Sequence, residues 1–272
     1  NQLFNHIILL IGTLIFVGPI ALIFFSASQP SGSLSANGLQ FFWGGEFWTN
    51  FARVFTYQAG FTDSITWGVM MKNSLIVGFG TAILTTVFSL LTAYALVFFK
   101  LRGANFLFWL IFMTLLFPLE SRFIPTYAIT SDLGLLNTHL GIILPTLALA
   151  LGTFFFRQYF LTIPNEFIEA ARLDGAGPIR FLIDIVAPLS WARAGAIFTI
   201  AFMIGWNQYL WPLMISSDES LYTLVRGSRL MGQISGPGMA LIVLTILPPL
   251  LLLIMFQRWF FASLVQIHSL DE

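Results

Sequence analysis

The chain has 272 residues, of which 57% are hydrophobic and only 9% are charged, with 12 basic and 12 acidic side chains. Soluble domains carry about 25% charged residues, so this composition excludes a soluble fold and predicts a membrane protein. A net charge of zero offers no basic surface to nucleic acid, and the absence of Cys excludes disulfides and thiolate metal sites.

Six apolar segments are long enough to cross a bilayer, which takes about 20 helical residues. They are 5–25, 70–99, 105–129, 139–161, 192–215 and 238–261. Because no repeat or low-complexity linker divides them, the sequence predicts one all-α domain over 1–272 with six transmembrane helices. The first segment could be a signal peptide, but its length and the lack of a basic flank favour a retained anchor.

Basic residues near the span ends indicate the orientation, because cytoplasmic loops carry the excess. One side holds Lys100, Arg102, Arg157, Arg172, Arg180, Arg193 and Arg258, and the other holds Arg53, Lys72, Arg122, Arg226 and Arg229. This bias predicts that both termini and the loop 162–190 are cytoplasmic and that 26–69 lies outside. The aromatic residues of 26–69 indicate either an interfacial helix or a loop packed on the spans.

The third segment is interrupted by polar residues and prolines after Phe117. Ionisable groups at membrane depth persist only where protein or water covers them, so Glu120 and Arg122 are candidate residues of a substrate pathway. The guanidinium fork of Arg122 suits an anionic solute. Alternatively, Arg122 reaches the outer interface or pairs with a neighbouring subunit.

The loop 162–190 predicts two short helices joined at a turn. Gly175 suits the residue that ends the first helix, and Pro178 suits the start of the second, which should end before Pro188. Small residues at 170 and 171 would allow another protein to approach closely. The alternative is an ordinary pair of interfacial helices.

Two later features add candidates. In the fifth segment, Asn207 and Gln208 can hydrogen-bond a hydroxylated solute, although an aromatic belt with interhelical hydrogen bonds would look similar. The loop 216–237 contains Arg226, Gly227 and Arg229 among further glycines, which suits contact with an external binding protein or a plain solvated loop.

The chain lacks the motifs of an enzyme or an ATPase. Its only lysines, Lys72 and Lys100, are followed by Asn and Leu, so neither completes a phosphate-binding loop. Its three histidines, His6, His139 and His268, are far apart in the sequence. Energy must therefore come from a partner, or transport is passive.

Residues 169–188, here named the EAA segment, resemble the signature of ABC-importer permeases, EAA-x3-G-x9-I-x-L-P, with Ala187 in place of the usual Leu. Over its whole length the chain resembles the carbohydrate-uptake branch, the maltose-type second permeases. Residues 117–122, 156–160 and 205–212 are most similar to the second permeases of glycerol-3-phosphate importers.

This resemblance implies a type I ABC-importer permease fold in the bacterial inner membrane, without a cofactor or metal of its own. It implies as partners a second permease, two subunits that bind ATP and Mg²⁺, and a substrate-binding protein that meets the loop 216–237. It assigns coupling to the ATPase to Glu169, Ala170, Ala171, Asp174, Gly175, Ile185 and Pro188. The implied solute is glycerol-3-phosphate or a glycerophosphodiester, with a neutral sugar or oligosaccharide as the alternative.

Overall fold

The computed structural model describes residues 2–56, 58–59, 64–231 and 234–265, and most of them are helical. The α-helices are α1 Gln2–Ser26, α2 Ser33–Asn37, α3 Phe47–Thr56, α4 Trp67–Phe98, α5 Ala104–Met113, α6 Leu119–Asp132, α7 His139–Ile143, α8 Ala150–Phe160, α9 Asn165–Leu173, α10 Pro178–Phe181, α11 Ala187–Leu189, α12 Trp191–Trp206, α13 Leu210–Ile215, α14 Leu224–Gly227 and α15 Gly236–Val265. Two short strands, β1 Gln58–Ala59 and β2 Ile65–Thr66, pair antiparallel. Short 3-10 turns cover Thr114–Leu116, Leu144–Thr146, Glu219–Leu221 and Ser228–Met231, and a π-helical turn covers Leu182–Val186.

Within the described residues, three helices are long and apolar enough to cross a membrane unbroken, namely α1, α4 and the Gly236–Trp259 part of α15. Three further candidates are helix pairs bent by more than 40° at a short break. They are Ala104–Leu116 with Ser121–Asp132, His139–Thr146 with Ala150–Phe160, and Pro178–Leu189 with Trp191–Trp206. By length and composition, the described residues hold up to six spans if each pair counts as one, in an all-α membrane protein. The last of these pairs takes in residues 178–189, whereas the sequence predicts a span that begins at 192.

The helix predicted over 192–215 is broken in the structure, since α12 ends at Trp206 and α13 begins at Leu210. Two local features explain the break. The side-chain amide of Asn207 donates to the carbonyl of Met203 at 2.9 Å, and the backbone amide of Asn207 donates to the same carbonyl at 3.1 Å, so Asn207 caps the last turn of α12. Pro212 has no N–H to donate to residue 208, so it is tolerated in the first turn of a new helix.

The break in the predicted third span lies at Phe117–Pro118. Phe117 is extended, with φ −85° and ψ 120°, because a residue before proline is disfavoured in the helical region. The hydroxyl of Ser121 donates to the carbonyl of Pro118 at 2.7 Å, at the start of α6. The polar half of this span is therefore a separate helix.

The described residues within 2–74 and 216–250 form one compact unit, whose interior contains hydrogen-bonded polar side chains. The buried amide of Asn50 donates to the carbonyls of Ala27 (2.9 Å) and Gln29 (2.8 Å). Phe24, near the end of α1, contacts Phe47, at the start of α3, with ring centroids 5.2 Å apart. These contacts attach the aromatic segment after α1 to the end of that span.

The described residues within 75–215 and 251–265 form the second compact unit, and two apolar clusters lie among them. The larger cluster consists of Ala93, Tyr94, Phe156, Phe160, Ala171, Phe181, Val186 and Ile197. The smaller cluster consists of Val77, Ile142, Ile143, Trp211 and Ile215. The larger cluster includes residues of the EAA segment, so that segment belongs to the folded core of this unit.

Replacing Gly141 with Ala is expected to destabilise the second unit by about 3 kcal/mol, because a Cβ atom there would clash with the Leu135 carbonyl oxygen. The Gly141 carbonyl also accepts a hydrogen bond from the Trp211 indole at 3.1 Å, which limits how far the backbone can shift. Thermal unfolding of the detergent-solubilised protein measures the effect. Gly68→Ala is the control, since that exposed helical glycine has no atom within 4 Å of the added Cβ; equal melting temperatures for the two variants would contradict the prediction.

Candidate functional site

The first helix of the EAA segment ends as the sequence predicts. Its helix, α9, ends at Leu173. Gly175 has φ +68°, a backbone conformation that residues other than glycine rarely adopt. The amide of Ala176 donates to the carbonyl of Ala171 at 2.9 Å, which is the six-to-one hydrogen bond of a Schellman motif. The turn between the two helices is therefore built by Gly175.

The second helix of the segment, residues 178–189, differs from the prediction. It begins at Pro178 but continues through Pro188 to Leu189, by way of the π-helical turn Leu182–Val186. A proline removes one donor from a regular helix and clashes with the preceding turn. The wider π turn shifts the hydrogen-bond register just before Pro188, and this lets the helix accommodate the proline.

Two of the residues predicted to couple to an ATPase face the interior instead. Ala171 is only 5% exposed and belongs to the larger apolar cluster, and Ile185 packs against the same cluster. Their place in the motif is explained by packing of the EAA segment onto α4, α8 and α12. This corrects the prediction that Ala171 presents a small surface to another protein.

The other predicted coupling residues are exposed. Glu169, Ala170, Asp174, Gly175 and Pro188 all lie on the outward side of the segment. Between them are three large apolar side chains that face outward: Leu173 (89% exposed), Ile179 (74%) and Ile183 (60%). Ile179 and Ile183 are not among the residues predicted from the sequence, although their spacing of four residues on a short helix places them on one face. Arg180 and Asp184 form an exposed ion pair beside them at 3.2 Å.

The candidates for a substrate pathway lie on two elements of the second unit. Arg122 is half-buried on α6, and its Nε atom is buried without a hydrogen-bond partner among the described residues. Gln208 precedes α13, and within the described part of the chain both polar atoms of its amide are buried and unpaired. Phe123 and Trp211, whose ring centroids are 6.0 Å apart, pack α6 against α13. Asn207 is exposed, and the side chain of Glu120 lies outside the described residues.

The loop 216–237 is held by buried contacts in the first unit. The guanidinium of Arg226, 7% exposed, donates to the carbonyl and hydroxyl of Ser216 and lies over the Tyr222 ring at 3.6 Å from its centroid. Gly227 is buried against Met70. Arg226 and Gly227 therefore stabilise the loop instead of presenting a contact surface, which corrects their predicted role, whereas Arg229 is exposed.

The loop is hydrogen-bonded to α4 by two polar residues, Asn73 and Ser74, which were not predicted from the sequence. The amide of Asn73 donates to the carbonyls of Ser220 (2.7 Å) and Tyr222 (3.0 Å), and the hydroxyl of Ser74 accepts from the amide of Leu224 at 2.8 Å. A hydrogen bond between the Asp218 carboxylate and Ser220 lowers the pKa of that carboxyl. Among the described residues, no group of three His, Asp or Glu side chains is placed to hold a metal ion.

Comparison with known proteins gives concordant matches. The family described as "Binding-protein-dependent transport system inner membrane component" matches residues 64–266. The sn-glycerol-3-phosphate transport system permease protein UgpE of Yersinia pestis bv. Antiqua (strain Antiqua) is 40% identical over 270 residues, covering 97% of this chain and 96% of the relative. UgpE of Brucella melitensis biotype 1 is 38% identical over 272 residues, covering 98% and 96%.

A solved structure supports the fold. A crystal structure of a bacterial ABC transporter involved in the import of the acidic polysaccharide alginate contains a chain that superposes with a TM-score of 0.80. The match covers 95% of this chain and 96% of that chain, at 24% sequence identity. At that identity the likeness concerns the arrangement of the helices alone.

Proposed function

The chain belongs to the family of binding-protein-dependent transport system inner membrane components, and we propose that within it this chain is a permease subunit that imports glycerol-3-phosphate or a related glycerophosphodiester. The observation that carries this proposal is 40% identity to UgpE over nearly the full length of both chains. Members of the family are multi-pass membrane subunits of ABC importers, which are transporters and not enzymes. They work with a partner permease, an ATPase and a binding protein.

We propose that this chain forms a complex with a second, different permease subunit and with two ATPase subunits, which bind ATP and Mg²⁺. The chain itself has no phosphate-binding loop to do so. We further propose that both termini and the EAA segment are cytoplasmic and that the loop 216–237 meets the binding protein outside. The excess of Lys and Arg on the side of the EAA segment supports this orientation.

We propose that the EAA segment is where the ATPase engages this subunit. The two sides of the segment support that assignment. Its inward residues Ala171 and Ile185 pack in the apolar cluster, and its outward residues Leu173 and Ile179 remain uncovered. A segment buried on one side and apolar on the other can transmit movement, because a push on the outer side displaces the core residues with it.

For the substrate pathway we propose that Arg122 and Gln208 contribute polar groups, with Glu120 and Asn207 nearby in sequence. Burying a polar atom without a hydrogen bond costs about 1–3 kcal/mol. The unpaired Nε of Arg122 and the amide of Gln208 are therefore suited to a ligand, water or partner group that completes them. A phosphomonoester would supply anionic acceptors for Arg122, and a glyceryl hydroxyl would suit the amide.

Reconstitution tests the proposed solute. The chain is co-expressed with its partner permease and ATPase, placed in proteoliposomes with the binding protein, and assayed for uptake of labelled glycerol-3-phosphate with ATP inside. We expect uptake that requires both ATP and the binding protein and is competed by a glycerophosphodiester. Uptake of a neutral oligosaccharide in place of glycerol-3-phosphate would overturn the proposed solute while keeping the importer.

A further inference from the structure

Two tyrosine hydroxyls contact the two ends of the second helix of the EAA segment. The hydroxyl of Tyr94, near the end of α4, donates to the carbonyl of Pro178 at 2.7 Å. The hydroxyl of Tyr159, on α8, donates to the carbonyl of Leu189 at 3.0 Å. Tyr94 and Pro178 are 84 residues apart in the chain, and Tyr159 and Leu189 are 30 apart, so both contacts are tertiary.

The contact at the start of the helix lies beside a cavity. Pro178 is the first residue of the helix, and its carbonyl also accepts the backbone amide of Leu182, so both of its acceptor positions are used. A cavity of about 190 Å³ lies beside this contact, with Tyr94, Phe98 and Pro178 in its lining. Phe98 on α4 packs against Phe181 of the helix with ring centroids 5.3 Å apart, and the Tyr94 hydrogen bond adds a directional link between α4 and this end of the helix.

The contact at the other end lies at a bend. Leu189 is the last residue of α11, where helix carbonyls lack a partner within the helix. The next helix, α12, begins at Trp191 after a bend of 77°. The guanidinium of Arg193 lies over the Tyr159 ring, 3.4 Å from its centroid, which holds the ring where its hydroxyl meets Leu189.

Between these two contacts the helix contains the π-helical turn Leu182–Val186. Its exposed apolar residues, Ile179 and Ile183, lie between the two tyrosine contacts. Phe181 and Val186 already pack this helix into the larger apolar cluster, but apolar packing is non-directional. A directional hydrogen bond at each end opposes rotation of the helix when its exposed side is pushed, so the movement reaches the helices that make those bonds.

We propose that Tyr94 and Tyr159 are positioning residues for transport. They clamp both ends of the second helix, so that a displacement applied by the ATPase reaches α4 and α8. This inference rests on the proposed coupling role of the EAA segment. Under this proposal α4 and α8 move together with the second helix, because the hydroxyls of Tyr94 and Tyr159, both outside the EAA segment, connect them to it.

The test uses Tyr94→Phe, Tyr159→Phe and the double variant in the complete reconstituted complex. Each change removes one hydroxyl and keeps the ring in the apolar cluster. We expect the solute transported per ATP hydrolysed to fall about threefold in each single variant and further in the double variant, with ATP hydrolysis retained. Tyr127→Phe is the matched control, since Tyr127 is exposed and its hydroxyl makes no hydrogen bond to the described residues.

Hydrogen exchange of the backbone amides in 178–189 supplies a second readout, which does not depend on the solute. We expect faster exchange in the double variant than in wild type and in Tyr127→Phe. Unchanged exchange would overturn the clamp, and faster exchange with an unchanged transport ratio would overturn its role in coupling. If wild-type complex took up no glycerol-3-phosphate while exchange responded as expected, the proposed solute would fail and the clamp would stand.

Discussion

Leu173→Asp and Ile179→Asp, alone and combined, are expected to abolish ATP-dependent uptake and to release the ATPase from the complex. Both side chains are large, apolar and more than 70% exposed on the outward side of the EAA segment. Covering one such side chain contributes about 1.5–3 kcal/mol, and a carboxylate in its place would be buried without a partner. The combined loss corresponds to at least about a hundredfold weaker association.

Affinity purification of the complex through this chain, followed by quantification of the ATPase subunit, measures that loss. Because both residues are exposed, the variants should keep the wild-type melting temperature of the permease. Arg180→Gln is the control on the same helix, since it removes only an exposed ion pair. Full retention of the ATPase by the double variant would show that these residues face lipid, and the coupling surface would have to lie elsewhere.

Arg122→Ala is expected to lower kcat/KM for glycerol-3-phosphate uptake roughly 10- to 100-fold, the effect of losing a hydrogen bond from a charged group to the solute. The half-buried position of Arg122 and its unpaired Nε support this expectation. Arg122→Lys should recover part of the loss, because lysine keeps the charge but lacks the planar fork that matches a phosphate.

Initial rates of uptake over a range of binding-protein and solute concentrations separate this effect from defective assembly. If Arg122→Ala reduced the amount of partner permease that co-purifies, the side chain would pair with that subunit instead of the solute. Unchanged kcat/KM with intact assembly would place Arg122 at the outer interface. Gln208→Leu tests the second proposed residue. We expect this change to weaken uptake, because it removes the amide but leaves the charge of the pathway unchanged.

Local signals in the sequence were sufficient for the shape of the EAA segment. Gly175 is required by the left-handed turn that follows α9, and Pro178 is suited to the first position of the next helix. Such signals act over a few residues, so they can be identified without knowledge of the fold. They do not indicate where a helix with a proline will end, and the π turn before Pro188 was missed for that reason.

The orientation of side chains within the segment was not predictable in the same way. Ala171 and Leu173 are two residues apart, so a helix places them on opposite faces, but both are apolar and the sequence does not indicate which face is buried; in the structure Ala171 is buried and Leu173 is almost fully exposed. In a membrane protein apolar residues occur on lipid-facing, core-facing and partner-facing surfaces alike, so hydrophobicity no longer identifies the core. Similarly, Arg226 looks like a contact residue in a glycine-rich loop, but the structure buries it against Ser216 and Tyr222.

Composition and segment length determined by themselves that this is an all-α membrane protein, because a helix of about 20 apolar residues matches the thickness of the bilayer core. The spacing of Glu169, Gly175 and Pro188 indicated the family. Only the tertiary structure decided which sides of the EAA segment are free, and which distant groups hold it. The contacts from Tyr94 to Pro178 and from Tyr159 to Leu189 join residues far apart in the chain, and a hydrogen bond of that kind depends on how helices pack in three dimensions.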